Sequence, residues 1–340
     1  MQLFYRYYCL IFSFALFLAS KAQPGSQPVN SGRLINFVPA SFSNKFSLNT
    51  EPVLRIHAGD TVQTETIDAG GFDENGVRRQ HPGNPLTGPF YIEEAKAGDV
   101  LAITLTKVSL NRTHAFTTES FVSRSLPAVI TKQFKKTRLV RWSLDIKNGF
   151  ASPDTGYGQL QNFKVPLHPF LGCIGVAPAG DNNESLSFFS GAFGGNMDFS
   201  SVTQYATIYL PVLHDGGFLY IGDGHALQGD GELAGNALET SMDVTFTVQL
   251  IKNASANLSC PRVEDAVYIM AVGLDKHLDM ALKAATKGLL DWLQQDYHLS
   301  LQQATQVMST TVEYNIAEIA DRETAIVAKI KKQILAGLKK

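Results

Sequence analysis

The chain has 340 residues, of which 44% are hydrophobic and 18% charged, so it can bury a full core as one large domain or two fused ones. This composition argues against large-scale disorder. The formal net charge is −2 and no long basic run precedes the last few residues, which argues against nucleic acid as the main partner.

Residues 1–22 have the features of a secretory signal peptide. An apolar run extends from Cys9 to Ala19, and the small residues Ser20 and Ala22 flank a potential cleavage point. The run is too short to span a bilayer as a stable anchor. We therefore expect an exported protein, periplasmic or secreted, that has no stable membrane span once the signal is removed. An uncleaved N-terminal anchor is the alternative.

Residues 23–33 are rich in Pro, Ser, Gly and Asn and are predicted to be a flexible lead-in to a domain at 34–340. Two similar turns, HAGD at His57–Asp60 and KAGD at Lys96–Asp99, precede TVQTETID and VLAITLTKV. Both segments alternate between apolar and polar residues, which is typical of half-buried antiparallel strands. Between them, Gly70–Phe90 is dense in Gly, Pro, Asn and Asp and is predicted to be a long surface loop.

The later part of the predicted β core, 34–259, continues this pattern. We expect Gln204–Leu213 and Phe218–Ile221 to form a hairpin and Thr240–Ile251 to form a long strand. The fold class is therefore predicted to be mainly β, with a β-sandwich-like core and glycine-rich loops.

The composition changes in the last segment, 260–340. Glycine becomes rare, and Leu and Ala recur at helical spacing. We predict two or three amphipathic helices there, one of them capped by Ser300. This helical C-terminal part is a possible homodimer surface.

The segment Phe218–Glu232 combines a short apolar strand with a histidine, three acidic residues and four glycines. We expect the strand to end at Gly222 and the following loop to gather the polar side chains. These are Asp223, His225, Asp230 and Glu232. Neutral imidazole with carboxylate oxygens is a ligand set that suits zinc, manganese or calcium. The alternative is that the Gly-Asp pairs only build turns and the histidine is a hydrogen-bonded filler.

Six motifs follow one another along the chain. They are ETID at Glu65–Asp68, NPLTGPFYIEEAKAGDVL at Asn84–Leu101, HPFLGCIGVAPAG at His168–Gly180, GGNMD at Gly194–Asp198, LPVLHDGGFLYIGDGHALQGDGE at Leu210–Glu232 and CPRVEDAVYIMAVGLD at Cys260–Asp275. In this order they resemble the acetamidase/formamidase family of amide hydrolases. The resemblance implies a β-sandwich-like catalytic core with added helices. It also implies hydrolysis of a small aliphatic amide to a carboxylic acid and ammonia, with a metal ion in the site.

Amide hydrolysis needs a polarised carbonyl, a strong nucleophile and a proton for the departing nitrogen, and a divalent cation can supply the first two. We expect zinc, with calcium or manganese as alternatives. The predicted metal ligands are Asp68, Asp198, His225 and Glu239. Glu232 is predicted to take the proton of the attacking water and pass it to the leaving amine. The residues predicted to orient the ligands or contact the substrate are Asp223, Asp230, His168 and Asn196.

One position departs from the family pattern. The family usually carries a histidine just before GGNMD, and this chain has Phe193 there. Cys173 offers a different mechanism, a thiolate nucleophile, although its apolar neighbours favour a buried inert thiol. Beyond the signal the only cysteines are Cys173 and Cys260, so one disulfide is possible.

Two further functions stay open at the level of the sequence. The chain could hydrolyse cyclic amides, because pocket size is not readable from these motifs. It could also be an exported binding module whose cation serves only structure, with Tyr205, Tyr209 and Tyr220 on one exposed face.

Overall fold

The structure, a computed structural model, describes residues 32–134, 138–154 and 158–338. The predicted signal peptide at 1–22 and nearly all of the predicted lead-in at 23–33 lie outside the described residues. Within the described part, no helix has the length and apolar character needed to cross a membrane.

The described ranges contain 22 strands and four α-helices. The strands are β1 (Leu34–Asn36), β2 (Lys45–Ser47), β3 (Leu54–Ile56), β4 (Thr61–Thr66), β5 (Leu86–Ile92), β6 (Val100–Leu110), β7 (His114–Thr118), β8 (Leu139–Asp145), β9 (Phe150–Pro153), β10 (Val165–Pro166), β11 (Phe170–Gly175), β12 (Glu184–Leu186), β13 (Ser190–Gly191), β14 (Gly194–Asn196), β15 (Thr207–Pro211), β16 (Leu219–His225), β17 (Glu239–Thr240), β18 (Met242–Ile251), β19 (Arg262–Glu264), β20 (Tyr268–Asp275), β21 (Glu313–Glu318) and β22 (Thr324–Lys331). The helices are α1 (Ala128–Thr131), α2 (Leu278–Asp296), α3 (Leu301–Thr311) and α4 (Lys332–Leu335).

Two large sheets dominate, which confirms the mainly β fold class. One has the strand order β1-β4-β18-β6-β15-β19-β20-β22-β21. The other has the order β10-β9-β8-β7-β17-β16-β11-β14-β13, and β5 joins it beside β16 and β3. Val62 and Phe246 of the first sheet belong to the same buried apolar cluster as Phe90 and Ile221 of the second. The sheets therefore share one core, as in a sandwich.

The alternating segments form strands as predicted. TVQTETID contains β4, VLAITLTKV lies in β6, and Thr240–Ile251 contains β18, which pairs with both. The predicted hairpin of Gln204–Leu213 with Phe218–Ile221 is wrong. Strand β15 pairs with β6 and β19 in the first sheet, whereas β16 pairs with β5, β11 and β17 in the second. Both strands are central, so each already has its two edges occupied and the link between them changes sheets.

The predicted loop Gly70–Phe90 is too long, because strand β5 begins at Leu86. Leu86 and Phe90 are fully buried. Gly88 and Pro89 inside β5 suggested a turn, but the burial of their neighbours determines a strand. The irregular part of this segment ends before Leu86.

The predicted C-terminal helices are present, but the part at 260–340 is not helical throughout. Helices α2 and α3 are present, and Ser300 caps α3 in a capping box with Gln303. Strands β19 to β22 nevertheless lie in the same segment and extend the first sheet. The helices pack on this sheet, with Ala285 and Leu289 in one apolar cluster with strand residues such as Ala328. Strands β20 and β22 were missed because most of their residues are buried on both faces and do not alternate between apolar and polar.

Each of the two similar turns is closed by the same kind of hydrogen bond, from a backbone N–H to the side chain of the aspartate three residues later. Asp60 Oδ2 accepts from the backbone N–H of His57 at 2.9 Å, and Asp99 Oδ2 accepts from that of Lys96 at 3.0 Å. Asp60 also pairs with Arg33 at 2.6 Å. Burial raises the pKa of Asp60, but the bonds from Arg33 and His57 outweigh burial and lower the pKa to about 2.

We expect Asp60→Asn to lower the free energy of unfolding at pH 7 by roughly 1–2 kcal/mol, because the charged form of Asp60 is favoured in the folded state. The carboxylate contributes this stability above its unfolded pKa of about 4. The contribution is lost as the pH falls through the folded pKa of about 2. Urea denaturation at several pH values measures the difference. Asp279→Asn, at a carboxylate that is 73% exposed, is the control and should change stability little. A difference that grows below pH 4 would contradict this account.

Candidate active site

Strand β16 carries two polar side chains into the interior of the fold. The predicted break at Gly222 is wrong, since the strand continues to His225 and buries both Asp223 and His225. Glycine is needed because neighbouring strands pass closely. A Cβ on Gly222 would lie 2.9 Å from the Pro85 carbonyl oxygen. One on Gly224 would lie 2.8 Å from the carbonyl oxygen of a β17 residue. These glycines therefore permit close strand packing.

The strands beside β16 complete the surroundings of His225. Glu239 on β17 lies directly opposite His225, and its Oε2 is 3.3 Å from His225 Nε2. Phe170 on β11 pairs with His225 across the other edge of β16, and its ring packs edge-on against the imidazole with ring centroids 4.9 Å apart. Asp223 Oδ2 is 3.4 Å from the same nitrogen. Pairing of the strands therefore fixes a histidine between two carboxylates and an aromatic wall.

Two further acids come from loops. Asp198, just after β14, places Oδ1 3.9 Å from His225 Nε2. Glu232 follows β16, and one potential ligand atom each of Asp198, His225 and Glu232 lies within 4.8 Å of the others. Asp223, His225 and Glu239 form a second group with the same spacing. We call these five residues the His225 cluster. Each is buried.

Three carboxylates of the His225 cluster share a pattern of hydrogen bonds. In Asp198, Asp223 and Glu239 one oxygen accepts from an N–H donor. Each also has a second, buried oxygen with no hydrogen-bond partner in the described structure. Both ring nitrogens of His225 likewise have no hydrogen-bond partner there. The donors are the side-chain amides of Asn196 and Asn84 and the backbone N–H of Ala237. Buried polar atoms normally have partners, so these free atoms indicate a missing ligand.

The backbone is strained at the same place. Asp198, Asp223 and Glu232 have φ angles of 44°, 56° and 48°, and Asn84 has 50°. This left-handed region is uncommon for residues other than glycine. Strain of this kind concentrates at functional sites, where surrounding structure maintains it.

Electrostatics at the His225 cluster are unbalanced. Burial raises the pKa of the Asp198, Glu232 and Glu239 carboxyls, and nearby carboxylates add to this effect. Burial lowers the pKa of His225, but the carboxylates of Glu239 and Asp223 outweigh it and hold the pKa well above its usual value. Within the described ranges, no Lys or Arg pairs with these four acids. Four buried acids therefore face a single imidazole as their source of positive charge among the described residues.

Gly172 on β11 leaves space inside the cluster. A Cβ there would lie 2.4 Å from Asp198 Oδ1, 2.6 Å from Asp223 Oδ2 and 2.9 Å from His225 Cε1. Any side chain at position 172 would therefore fill the space that the side chains of Asp198, Asp223 and His225 border. The free oxygens, the excess negative charge and this space together fit a cation.

The structure does not bring Asp68 into the cluster, so its prediction as a metal ligand is not supported. Asp68 Oδ2 pairs with Arg112 Nη2 at 2.6 Å, with both side chains buried. Asp68 Oδ1 accepts from the backbone N–H of Phe72. Both oxygens therefore have partners already, and Arg112 neutralises the charge.

Two other predicted residues lie away from the cluster. Asp230 is exposed and accepts from Asn315, so it does not orient His225. His168 is exposed and its Nε2 contacts the carbonyl oxygen of Ser200 at 3.0 Å. Both residues belong to the matching motifs. Within each motif the chain passes between a buried strand and a surface turn, so residues close in sequence lie in different environments.

Asn196, predicted to orient a ligand or contact the substrate, is hydrogen-bonded to Asp198 and to two residues that the sequence did not predict, Asn84 and Asp321. Its amide nitrogen donates to Asp198 and to Asp321 Oδ2, and its oxygen accepts from Asn84. Asp321, between β21 and β22, is partly buried, and burial raises its pKa to about 6. Nearby Glu318 is fully buried, and burial raises its pKa to about 8. The sequence signal that could have indicated these two residues is the placement of acids among apolar residues in the segment AEIADRET.

The thiol alternative is not supported. Cys173 is buried, and burial with the neighbouring Asp223 carboxylate raises its pKa well above the usual value, which disfavours the thiolate. Cys173 and Cys260 are both free thiols, so the possible disulfide is absent between them. Phe193, where the family histidine was expected, packs edge-on against Phe46 with ring centroids 5.4 Å apart. It extends an apolar cluster beside the site.

The tyrosines proposed for a binding face do not share one. Tyr220 is fully buried, and Tyr209 is partly buried and donates to Glu264. Only Tyr205 is strongly exposed. The aromatic surface expected of a carbohydrate-binding module is therefore not formed by these residues.

Comparisons with known proteins agree with the motifs. A model of the acetamidase/formamidase family matches residues 33–187 and 190–335. An acetamidase of Yersinia enterocolitica has 28% identity and a TM-score of 0.76, over 89% of this chain and 93% of that one. A predicted acetamidase/formamidase of Thermoanaerobacter tengcongensis has 24% identity and a TM-score of 0.77, over 90% and 98%.

Two other similarities give weaker information about this chain. A gamma lactamase of Delftia acidovorans has 18% identity and a TM-score of 0.54, which shows a shared fold alone. A presumed formamidase of Schizosaccharomyces pombe is 36% identical over 67 residues. That stretch spans 19% of this chain and 16% of the yeast protein.

Arg112 is expected to support the fold through Asp68. Arg112→Met leaves a buried carboxylate without its cation, so the free energy of unfolding should fall by about 3–5 kcal/mol. Adding Asp68→Asn should restore part of this loss, because the uncompensated charge disappears. Urea denaturation measures both variants. The control is Arg141→Met, whose partner is at the surface and whose own side chain is 57% exposed, and it should change stability by less than about 1 kcal/mol. Equal losses in Arg112→Met and Arg141→Met would refute this role.

Proposed function

The chain belongs to the acetamidase/formamidase family of amidohydrolases, and from this premise we propose that it hydrolyses a small linear amide to a carboxylic acid and ammonia, with a divalent metal ion at the His225 cluster. Relatives named as acetamidases, similar over most of their length, support the reaction class. The metal and the substrate are our own proposals.

The observation that supports a metal ion is that three buried carboxylates each have a hydrogen bond to only one of their two oxygens. Asp198, Asp223 and Glu239 each keep one oxygen fixed by an N–H donor and one buried oxygen without a partner. The imidazole of His225 lies among them. We propose that these four residues hold the ion, and that Glu232 lies beside it. One imidazole with several carboxylates suits zinc, with manganese or calcium as alternatives.

When bound, a divalent ion supplies Lewis-acid polarisation of the amide carbonyl and lowers the pKa of a coordinated water. The protein's own contribution is to hold the reactants. Asn196 and Asn84 fix the carboxylates by donating one hydrogen bond to each of Asp198 and Asp223. Burial of the cluster limits access of bulk water.

Glu232 is proposed to move the proton. One of its carboxylate oxygens lies within 4.8 Å of potential ligand atoms of Asp198 and His225. It can accept a proton from the attacking water and return it to the nitrogen as the C–N bond breaks, which yields ammonia. This role needs a carboxylate close to the reacting atoms, and Glu232 is the cluster acid not assigned to holding the ion.

Glu232→Gln is expected to lower kcat for acetamide or formamide by about 100- to 10,000-fold, because glutamine cannot exchange the proton. Ammonia release measures the rate. Asp230→Asn, two residues away and at the surface, is the matched control and should keep full activity. Full activity in Glu232→Gln would remove Glu232 from the mechanism. A wild-type protein that releases no ammonia from any linear amide would refute the hydrolase proposal.

Gly172→Ala is expected to weaken metal binding on the order of tenfold or more, because the new methyl group occupies space between Asp198 and Asp223. Elemental analysis after dialysis, and the rise in Tm on adding zinc, manganese or calcium, measure binding apart from activity. Gly229→Ala is the control, since nothing lies within 4 Å of its added Cβ. Dialysed wild-type protein that contains no metal and retains full activity would refute the metal.

A further inference from the structure

A cavity of about 650 Å³ adjoins the His225 cluster. Glu239, a member of the cluster, lines it. Asn84 also lines it and donates to Asp223 Oδ2 at 3.1 Å. The cavity therefore borders the His225 cluster through Glu239 and Asn84.

The walls of the cavity are largely apolar. Phe72, Pro82, Phe116 and Leu139 contribute side chains to them. A volume of this size is in the range of about 300–1,000 Å³ that holds ligands much larger than formamide or acetamide. Apolar surface of a ligand gains free energy when it leaves water for such walls. The cavity therefore fits an amide with a bulky apolar group.

Arg78, which also lines the cavity, contributes an unpaired positive charge. Its guanidinium lies 4.2 Å from the centre of the Phe72 ring, and its Nη1 donates to the Gly70 carbonyl oxygen at 2.8 Å. The neighbouring Arg79 pairs with Asp73, and Arg112 pairs with Asp68. No carboxylate in the described part of the chain pairs with Arg78. A guanidinium with free N–H donors is suited to a carboxylate.

We propose that this cavity binds the apolar portion of the substrate, and that preferred substrates are amides of aromatic size that carry a carboxylate at the end remote from the amide. Arg78 is the specificity-determining residue for that carboxylate. The inference rests on the proposed amide hydrolysis, because Glu239 and Asn84 place the amide end of the ligand.

The first test compares kcat/KM for acetamide, benzamide, para-carbamoylbenzoate and the methyl ester of the last compound. We expect benzamide to exceed acetamide, and the acid to exceed its neutral ester on the order of tenfold. Arg78→Gln should remove the preference for the acid over the ester, mainly through KM. Arg55→Gln is the matched control, since Arg55 also lies over an aromatic ring, at 4.1 Å, but outside the cavity.

The second test narrows the cavity. Leu139 is 67% exposed, so Leu139→Trp should fold normally while it fills part of the cavity. It should lower the ratio of benzamide to acetamide kcat/KM. It should also weaken binding of benzoate, measured by calorimetry without turnover. Leu301→Trp, at a residue that is 53% exposed on α3, is the control.

The outcomes separate the inference from the proposed function. Hydrolysis of acetamide in preference to all larger amides, with no effect of Leu139→Trp on benzoate binding, overturns the inference and leaves the hydrolase intact. A preference for the acid that survives Arg78→Gln overturns the role of Arg78. Absence of any ammonia release refutes the hydrolase, whereas benzoate binding that Leu139→Trp weakens would still support the cavity as an apolar ligand site.

Discussion

The constraint on which the rest of the structure depends is the burial of several carboxylates around one imidazole. Asp198, Asp223, Glu232 and Glu239 are withdrawn from water next to His225, and no Lys or Arg among the described residues pairs with them. Buried like charges repel strongly in a medium of low dielectric constant. The proposed cation would offset this repulsion.

The two-sheet architecture is what makes this burial possible. Central strands β16, β11 and β17 place His225, Phe170 and Glu239 side by side, and their edges are paired on both sides. A central strand cannot shift in register without disturbing its neighbours, so the ligand atoms are held on a rigid frame. Asn84, Asn196 and Asp321 then connect this frame to the loops and to the C-terminal strands.

The family assignment and the particular pocket contribute different information. The family indicates amide hydrolysis, and the cluster supplies groups consistent with it. The cavity beside Glu239 is formed by Phe72, Phe116 and Leu139 from separate segments. Its size and the guanidinium of Arg78, which pairs with no carboxylate among the described residues, bear on which amide is bound.

Much of the candidate site could be inferred from residues close in sequence. Asp223, His225 and Glu232 were predicted from one segment, and the structure gathers them with Asp198 and Glu239. The same reasoning included Asp230, which is at the surface, and Asp68, whose charge Arg112 neutralises. Proximity in sequence could not distinguish these cases, because the partner of each carboxylate comes from a distant strand or loop.

The sequence by itself determined the mainly β class, the alternating strands β4, β6 and β18, the cap at Ser300 and the family, because these depend on local pattern and motif. Only the tertiary structure decided that β15 and β16 lie in different sheets and that β19 to β22 extend the first sheet. It also decided which oxygens remain unpaired around His225. The physical reason is that hydrogen-bond partners and enclosed volume depend on segments far apart in the chain, and no local preference encodes which of them meet.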